Sequence, residues 1–159
     1  FHLIRNAHMS VDELDTLFNK RSGMMGLTGF GDLREVHRLV EEGNEDAKLA
    51  LDIYVHRIVG YIGNYTAQMG GVDVITFTAG VGENDDVVRK MVCDKLAPFG
   101  VKLDEEKNAT RSKEPRIIST PDSAVTICVI PTNEELAIAR KSAAIAEEGK
   151  DSYGNVFSK

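Results

Sequence analysis

The sequence feature that most constrains the fold is Val72–Asn84, where a short β-branched run leads into two glycines spaced by one residue. The run Val72–Phe77 predicts a buried strand. Gly80 and Gly82 allow positive φ and leave no side chain between the backbone and a ligand. Asn84 is expected to cap the helix that follows. This order of strand, glycine turn and helix predicts an α/β protein whose turn could contact a nucleotide.

The glycine turn departs from two better-known phosphate-binding patterns. No Lys follows Gly82, as a P-loop would require, and Asp85 stands where a dinucleotide fingerprint has Gly or Ala. On the motif alone, a tight strand-to-helix turn without a ligand is therefore an equal alternative.

Composition excludes several classes of protein. The 159 residues carry a net charge of −6, with 42% apolar and 28% charged residues, as expected for one soluble globular domain. The chain has no long basic run and no apolar stretch of about 18 residues, so we expect neither a nucleic-acid nor a membrane partner. Cys93 and Cys128 are expected to be buried, reduced thiols of a cytoplasmic protein. A first residue Phe1 rather than Met favours a fragment of a longer protein.

Capping residues and apolar spacing predict the remaining elements. Residues 21–31 hold four glycines and are expected to form a structured loop. Predicted helices are 10–20, 33–42, 44–69, 84–97 and 104–111, and predicted strands are 101–103, 116–119 and 125–130. The helix 44–69 is apolar on more than one face, which favours deep burial or contact with a partner. A domain over 1–148 followed by a polar tail over 149–159 is predicted.

Two charged residues are candidates for ligand contacts. Thr132 and Glu135 have the spacing of a capping box, which leaves Glu134 without a structural role at the end of a predicted interior strand. A carboxylate there could hold Mg²⁺ together with substrate phosphates, or could simply favour the helix dipole. Arg34 follows the predicted N-cap Asp32 after a glycine-rich loop, and it could contact a ligand or be a solvated helix charge.

Several motifs occur in the order found in acetate kinases. The chain resembles their F-T-[AG]-G-[IV]-G-E-N, P-T-[ND]-E-E, N-K-[KR]-S-G, G-[IL]-[ST]-G and D-[FLM]-R segments at Phe77–Asn84, Pro131–Glu135, Asn19–Gly23, Gly26–Gly29 and Asp32–Arg34. The similarity extends from about Met9 to Ala146 and matches the C-terminal domain of that family.

The resemblance implies an α/β fold like that of actin, hexokinase and the Hsp70 ATPase (ribonuclease H-like), with a mixed sheet flanked by helices. It implies Mg²⁺-dependent phosphoryl transfer between ATP and acetate, giving acetyl phosphate and ADP, by a homodimer paired through this domain. The residues that match nucleotide-site segments are Asp32, Leu33, Arg34, Gly80, Val81, Gly82, Glu83 and Asn84, and Glu134 matches the Mg²⁺-binding glutamate. Leu33 stands where many relatives carry Phe, which affects an aromatic contact to adenosine but not the pocket.

The family's catalytic residues are expected upstream of Phe1, so none is assigned in this chain, and we expect the 159 residues alone to be inactive. The alternatives are a propionate or butyrate kinase and a non-catalytic module for ATP binding or dimerisation. The carboxylic acid cannot be chosen from these residues, because its pocket is expected in the missing part.

Overall fold

A computed structural model describes residues 1–148; the predicted tail, 149–159, lies outside the described residues. The helices of the described part are α1 (His2–Ala7), α2 (Val11–Lys20), α3 (Gly23–Thr28), α4 (Leu33–Glu41), α5 (Glu45–Met69), α6 (Ala79–Asn84), α7 (Asp86–Lys95), α8 (Glu105–Ala109) and α9 (Glu134–Glu148). A 3₁₀ turn covers Ala97–Phe99, and the strands are β1 (Val74–Phe77), β2 (Arg116–Ile117) and β3 (Thr126–Val129). The predicted α/β class is confirmed.

The chain divides into two compact units. The first contains Phe1–Val72 and Met91–Pro98, and the second contains Asp73–Lys90 and the described residues from Phe99 onward. The two units are described separately below.

In the first unit, α3 and α4 pack against the 25-residue helix α5. The core side chains here are Val36 and, on one face of the first half of α5, Ala47, Ala50, Leu51 and Val55. The second half of α5 is more exposed, as at Met69, which is 67% exposed. The prediction of one long helix over 44–69 is confirmed, while its burial is limited to the N-terminal half.

Side chains cap three helices of the first unit, including the N-cap predicted at Asp32. Ser10 and Glu13 form a reciprocal capping box, with Glu13 N–H donating to Ser10 Oγ and Ser10 N–H donating to a Glu13 carboxylate oxygen. Asp32 accepts from Arg34 N–H, and Asn44 accepts from Ala47 N–H, at 2.9 Å in both cases. These contacts span two or three residues, so the local sequence is enough to specify them.

The glycine-rich segment 21–31 is not a loop throughout, because α3 occupies its centre. The helix is closed by Gly29, which has a φ of 78°, and the Thr28 hydroxyl donates to Met24 O inside it. A Cβ on Gly26 would lie 2.8 Å from Arg21 O, so glycine is needed there for close backbone approach. A segment of six residues is too short for the helical spacing of its apolar residues to predict a helix.

The second unit is built on a mixed three-stranded sheet with the order β1-β3-β2. Strands β1 and β3 are parallel, with Phe77 opposite Val129, and β2 is antiparallel to β3. The central strand β3 buries Ile127 and Val129, and the apolar core of this unit also includes Val88, Val101, Ile118 and Val125. The expected interior strand over 125–130 is thus confirmed in a shorter form.

Other strand predictions need correction. The run Val72–Phe77 is not a buried strand: β1 begins at Val74, lies at an edge of the described sheet and leaves Val74 52% exposed. The expected strand 101–103 is reduced to one antiparallel bridge between Leu103 and Ser119.

Cys93 is buried as predicted, whereas Cys128, on β3, is only half-buried. Neither of these two thiols is in a disulfide.

Candidate functional site

The carboxyl ends of β1 and β3 lie side by side because these strands are parallel neighbours. The ladder continues one step beyond them, with Ile130 N–H donating to Phe77 O at 2.9 Å. The segments Thr78–Asn84 and Pro131–Glu135 follow directly, so the two motifs singled out in the sequence meet at one edge of the sheet. This is the edge at which open α/β sheets bind ligands.

The glycine turn is itself a helix. Residues 79–84 form α6, and the positive φ falls on Ala79 (58°) rather than on Gly80 or Gly82. Neither glycine therefore uses the positive φ that its lack of a side chain allows. Ala79 adopts the left-handed conformation that lets the chain leave β1 and enter α6 directly, at a cost of about 1–2 kcal/mol.

The two glycines of α6 have different surroundings. A Cβ on Gly82 would lie 3.1 Å from Phe77 C, so a side chain there would press on the end of β1. A Cβ on Gly80 would meet nothing within 4 Å among the described residues. Packing explains the glycine at position 82, whereas neither packing nor positive φ requires the glycine at position 80.

Asn84 was expected to cap the following helix, and this prediction is wrong. It is the last residue of α6, and its side-chain amide donates to Gly80 O at 2.8 Å. The capping role belongs to Asp85, whose carboxylate accepts from Val88 N–H at 2.9 Å. The Asn84 side chain therefore bonds back to the start of its own turn. Within that turn, Val81 and Glu83 are half-buried.

Thr132 joins the two motif segments. Its hydroxyl lies 2.8 Å from the Thr78 hydroxyl and accepts from Ala79 N–H at 3.2 Å. Its own N–H donates to Glu83 Oε1 at 2.7 Å. These long-range contacts fix the start of α6 against the loop that follows β3.

The predicted capping box of Thr132 and Glu135 is consequently wrong. Asn133 is the N-cap of α9: its side-chain oxygen accepts from Leu136 N–H at 2.9 Å, and its carbonyl accepts from Ala137 N–H. The Thr132 hydroxyl and N–H are both engaged with the glycine-turn segment instead. The helix therefore begins one residue later than the box required.

Glu134 is the first residue of α9 and is exposed at the carboxyl end of β3. Within residues 1–148 no group of three or more His, Cys, Asp or Glu side chains is placed to hold a metal ion. A single carboxylate still suits Mg²⁺, which is usually held by one or two carboxylates, waters and substrate phosphates. The donor chemistry at Glu134 thus fits a metal shared with a phosphate ligand.

The other predicted contacts lie in the first unit, at the start of α4. The Arg34 guanidinium donates from Nε to both carboxylate oxygens of Asp32, at 3.0 and 3.1 Å. These bonds, with the backbone bond from Arg34, lower the pKa of Asp32 to about 2 and raise that of Arg34. Arg34 is 89% exposed, and Leu33 is half-buried beside it. Asp32 thus caps α4 and also holds the Arg34 side chain in one orientation.

Sequence reasoning missed Arg89, which is 2% exposed and contacts the end of α6. A signal was present, because Arg89 stands three, four and seven residues before Val92, Cys93 and Leu96, on the apolar stripe of the helix predicted over 84–97. A charged residue on such a stripe is buried with partners when it is buried at all.

Comparison with known proteins gives consistent similarities. A protein-family model described as the Acetokinase family matches residues 1–140. The chain is 55% identical over 142 residues to an acetate kinase of Leifsonia xyli subsp. xyli, covering 89% of this chain and 36% of that relative. It is 52% identical over 147 residues to an acetate kinase of Corynebacterium efficiens, covering 92% and 37%. The chain therefore spans about a third of the length of these relatives.

Solved structures agree. Porphyromonas gingivalis acetate kinase aligns with a TM-score of 0.81 at 40% identity, over 91% of this chain and 36% of that one. A propionate kinase from Francisella tularensis subsp. tularensis aligns with a TM-score of 0.78 at 38% identity, over 87% and 35%. These similarities confirm the actin- and hexokinase-like fold expected from the motifs. Along the described helices, none is both long enough and apolar enough to span a membrane.

Proposed function

The chain belongs to the acetokinase family, and from this premise we propose that the protein carrying it transfers a phosphoryl group between ATP and acetate. The products would be ADP and acetyl phosphate. We assign the chain to the C-terminal domain of such an enzyme, because its ordered motifs resemble that part of the family. The activity is a proposal for the whole protein, since the chain spans about a third of its relatives' length.

One observation carries the proposal: the Gly80–Asn84 segment and the loop leading to Glu134 are held together at the carboxyl ends of β1 and β3. Thr132, whose N–H donates to Glu83 and whose hydroxyl contacts Thr78, makes this connection. A nucleotide bound at the glycine turn would have its phosphates within the same sheet edge as the Glu134 carboxylate. Nucleotide and metal-binding groups in one place are what phosphoryl transfer requires.

Each segment has a defined part in this proposal. The turn Gly80–Asn84 offers backbone without a side chain at Gly80, where a Cβ would meet open space. Asp32, Leu33 and Arg34, in the first unit, are assigned to adenosine binding from their match to the family's motif, and Asp32 keeps the Arg34 guanidinium oriented. Glu134 is the residue that would hold Mg²⁺. Charge neutralisation on the transferring phosphates is the chemistry that the bound ion supplies.

The test is a measurement on the full-length natural protein that carries this sequence. Acetyl phosphate formation from ATP and acetate should require Mg²⁺, and ADP should bind in a calorimetric titration. A full-length protein that binds no ADP and forms no acetyl phosphate would overturn the proposal.

A second candidate is a propionate kinase, favoured by the structural similarity to the Francisella tularensis enzyme. The two candidates share the nucleotide site and differ only in the carboxylic acid. The ratio of kcat/KM for acetate to that for propionate separates them: a ratio above one favours the acetate kinase, and a ratio below one favours the propionate kinase.

We further propose that the protein is a homodimer paired through the exposed half of α5. Tyr61, Tyr65 and Met69 are 52%, 55% and 67% exposed, and the two tyrosine rings lie 6.3 Å apart. An apolar and aromatic strip on a single helix suits a two-fold interface, in which both copies use the same surface. Tyr65→Asp should shift the full-length protein to monomer in light scattering. Phe18→Asp, at another exposed aromatic of the first unit, should not; a dimer unaffected by Tyr65→Asp would contradict this surface.

Cytoplasmic localisation is part of the same proposal. Cys93 and Cys128 form no disulfide, which is compatible with a reducing compartment. ATP, ADP, acetate and acetyl phosphate are the small-molecule partners that the proposal requires.

A further inference from the structure

Arg89 is a buried cation for which the proposed reaction has no use. It lies on α7 and is only 2% exposed. Burying a charged side chain is costly unless each of its donors finds an acceptor. Its position therefore has to be explained by what its guanidinium contacts.

The guanidinium connects the end of α6 to α8. Nη1 donates to Gly82 O and to Glu83 O, each at 3.0 Å. On the other side, Nε donates to Asn108 Oδ1 and Nη2 donates to Asn108 O, both at 2.7 Å. Asn108 is 4% exposed, and its own amide donates to Asp86 O at 2.9 Å. The forked guanidinium of Arg89 is thus anchored at α8 and donates to the backbone of the glycine turn.

The acceptors on α6 are suited to a cation. The last carbonyls of a helix have no partners within the helix, and they carry the negative end of its dipole. In a six-residue helix that contains two glycines, few internal hydrogen bonds oppose fraying. A planar guanidinium that donates to two successive carbonyls stabilises their partial negative charge and also fixes the distance between them. A single ammonium provides the charge without this planar geometry.

We propose that Arg89 is a positioning residue for nucleotide binding, holding the backbone of Gly80–Asn84 in its binding conformation from the buried side. The inference rests on the proposed function of this turn. Arg89 would not touch the nucleotide, because its side chain is buried and its donors are engaged with protein. Its effect would pass through the carbonyls of Gly82 and Glu83 to the backbone and side chains on the exposed side of the turn.

A positioning role makes a prediction that a purely structural role does not. If Arg89 shapes the turn, its replacement weakens nucleotide binding in protein that is still folded. If Arg89 only stabilises the fold, the melting temperature falls while the folded protein binds ADP with unchanged affinity. The two roles separate when affinity is measured well below the melting temperature of the variant.

The test uses Arg89→Lys in the full-length natural protein. Lysine keeps the positive charge but lacks the forked guanidinium. The backbone of the turn should therefore become less ordered, while the buried charge is retained. We expect the Kd for ADP and the KM for ATP to rise about tenfold, since partners that orient a site without touching its ligand typically contribute about 10–100-fold. The KM for acetate should stay within twofold, because the acetate pocket is not expected at this turn.

Lys90→Gln is the matched control. Lys90 is the next cation on α7, is 44% exposed and pairs with Glu105 at 2.7 Å. This variant should bind ADP like the wild type. A tenfold loss of ADP affinity in Lys90→Gln as well would mean that positive charge on α7 in general matters, and it would overturn the assignment to Arg89.

Asn108→Ala provides a second variant in case Arg89→Lys does not fold. It keeps Arg89 and removes the side-chain acceptor that orients Nε, so ADP affinity should fall by about threefold. Wild-type affinity for ADP in whichever of these two variants folds would overturn the inference while leaving the proposed function intact. A wild-type protein that binds no ADP would instead overturn the proposed function, so the two failures can be told apart.

Discussion

The backbone N–H of Thr132 donates to Glu83 Oε1 at 2.7 Å, across 49 residues of sequence. This bond gives Glu83 a structural role inside a segment that otherwise resembles a ligand-binding turn. It also removes Thr132 from the capping box that its spacing to Glu135 suggested. The start of α9 and the end of α6 are therefore coupled, and a change in one segment should be felt by the other.

The first prediction compares two glutamates. Glu83→Ala should lower the free energy of unfolding by about 1–2 kcal/mol, because Thr132 N–H loses a charged acceptor. Glu135→Ala should cost about 0.5 kcal/mol or less, since it removes only a carboxylate near the helix N-terminus. Urea denaturation of both full-length variants measures the difference. A larger loss for Glu135→Ala would restore the capping box that the structure contradicts.

The second prediction uses the different surroundings of the two glycines in α6. Gly82→Ala should destabilise by about 1–3 kcal/mol, because its Cβ would lie 3.1 Å from Phe77 C. Gly80→Ala should be neutral or stabilise by up to about 1 kcal/mol, since alanine favours the helix and its Cβ meets open space. In thermal melts, Gly82→Ala should therefore lower the melting temperature, whereas Gly80→Ala should leave it unchanged or raise it.

Nucleotide affinity completes this comparison. If the nucleotide approaches the backbone at Gly80, Gly80→Ala should raise the Kd for ADP although the protein is no less stable. Calorimetric titration of the same sample measures this. A stable Gly80→Ala variant with wild-type affinity would remove Gly80 from the proposed site.

The third prediction concerns the pKa of Asp32. Bonds from the Arg34 side chain, and then from its backbone, lower this pKa from 3.8 to about 2. A carboxyl whose pKa is lower in the folded state stabilises the fold above its ordinary pKa, and that contribution is lost as pH falls from about 3.8 to about 2. Arg34→Met removes the largest cause, so an NMR titration should place Asp32 closer to 3.8. A midpoint that stays at about 2 would assign the shift to the backbone bond instead.

Local signals in the sequence predicted local structure well. The caps at Ser10 and Asp32 are confirmed, and these two, like the cap at Asn44, each depend on a contact within three residues. The long helix α5 was recognised because apolar residues recur at helical spacing over many turns. The sequence placed Gly80–Asn84 and Glu134 each after a predicted strand, and the parallel pairing that brings the two segments to one sheet edge came from the structure.

The incorrect predictions share a physical cause. Thr132 and Asn133 are both good N-cap residues, and a contact with distant Thr78 and Glu83 decides between them. The helix α6 contains two glycines and is held partly by Arg89, which lies outside it. Patterns within a few residues carry no information on such long-range partners, so the site's geometry required the structure.

The last prediction tests Glu134 against its neighbour Glu135. Both carboxylates lie in the first turn of α9, so each substitution by Ala should change stability by about 0.5 kcal/mol or less. In the full-length protein, Glu134→Ala should raise the Mg²⁺ concentration needed for half-maximal activity by at least about tenfold, because the transferring phosphates lose a neutralising ion. Glu135→Ala should leave it unchanged. Magnesium titrations of acetyl phosphate formation decide the matter, and an equal Mg²⁺ defect in both variants would mean that only the local negative charge is required.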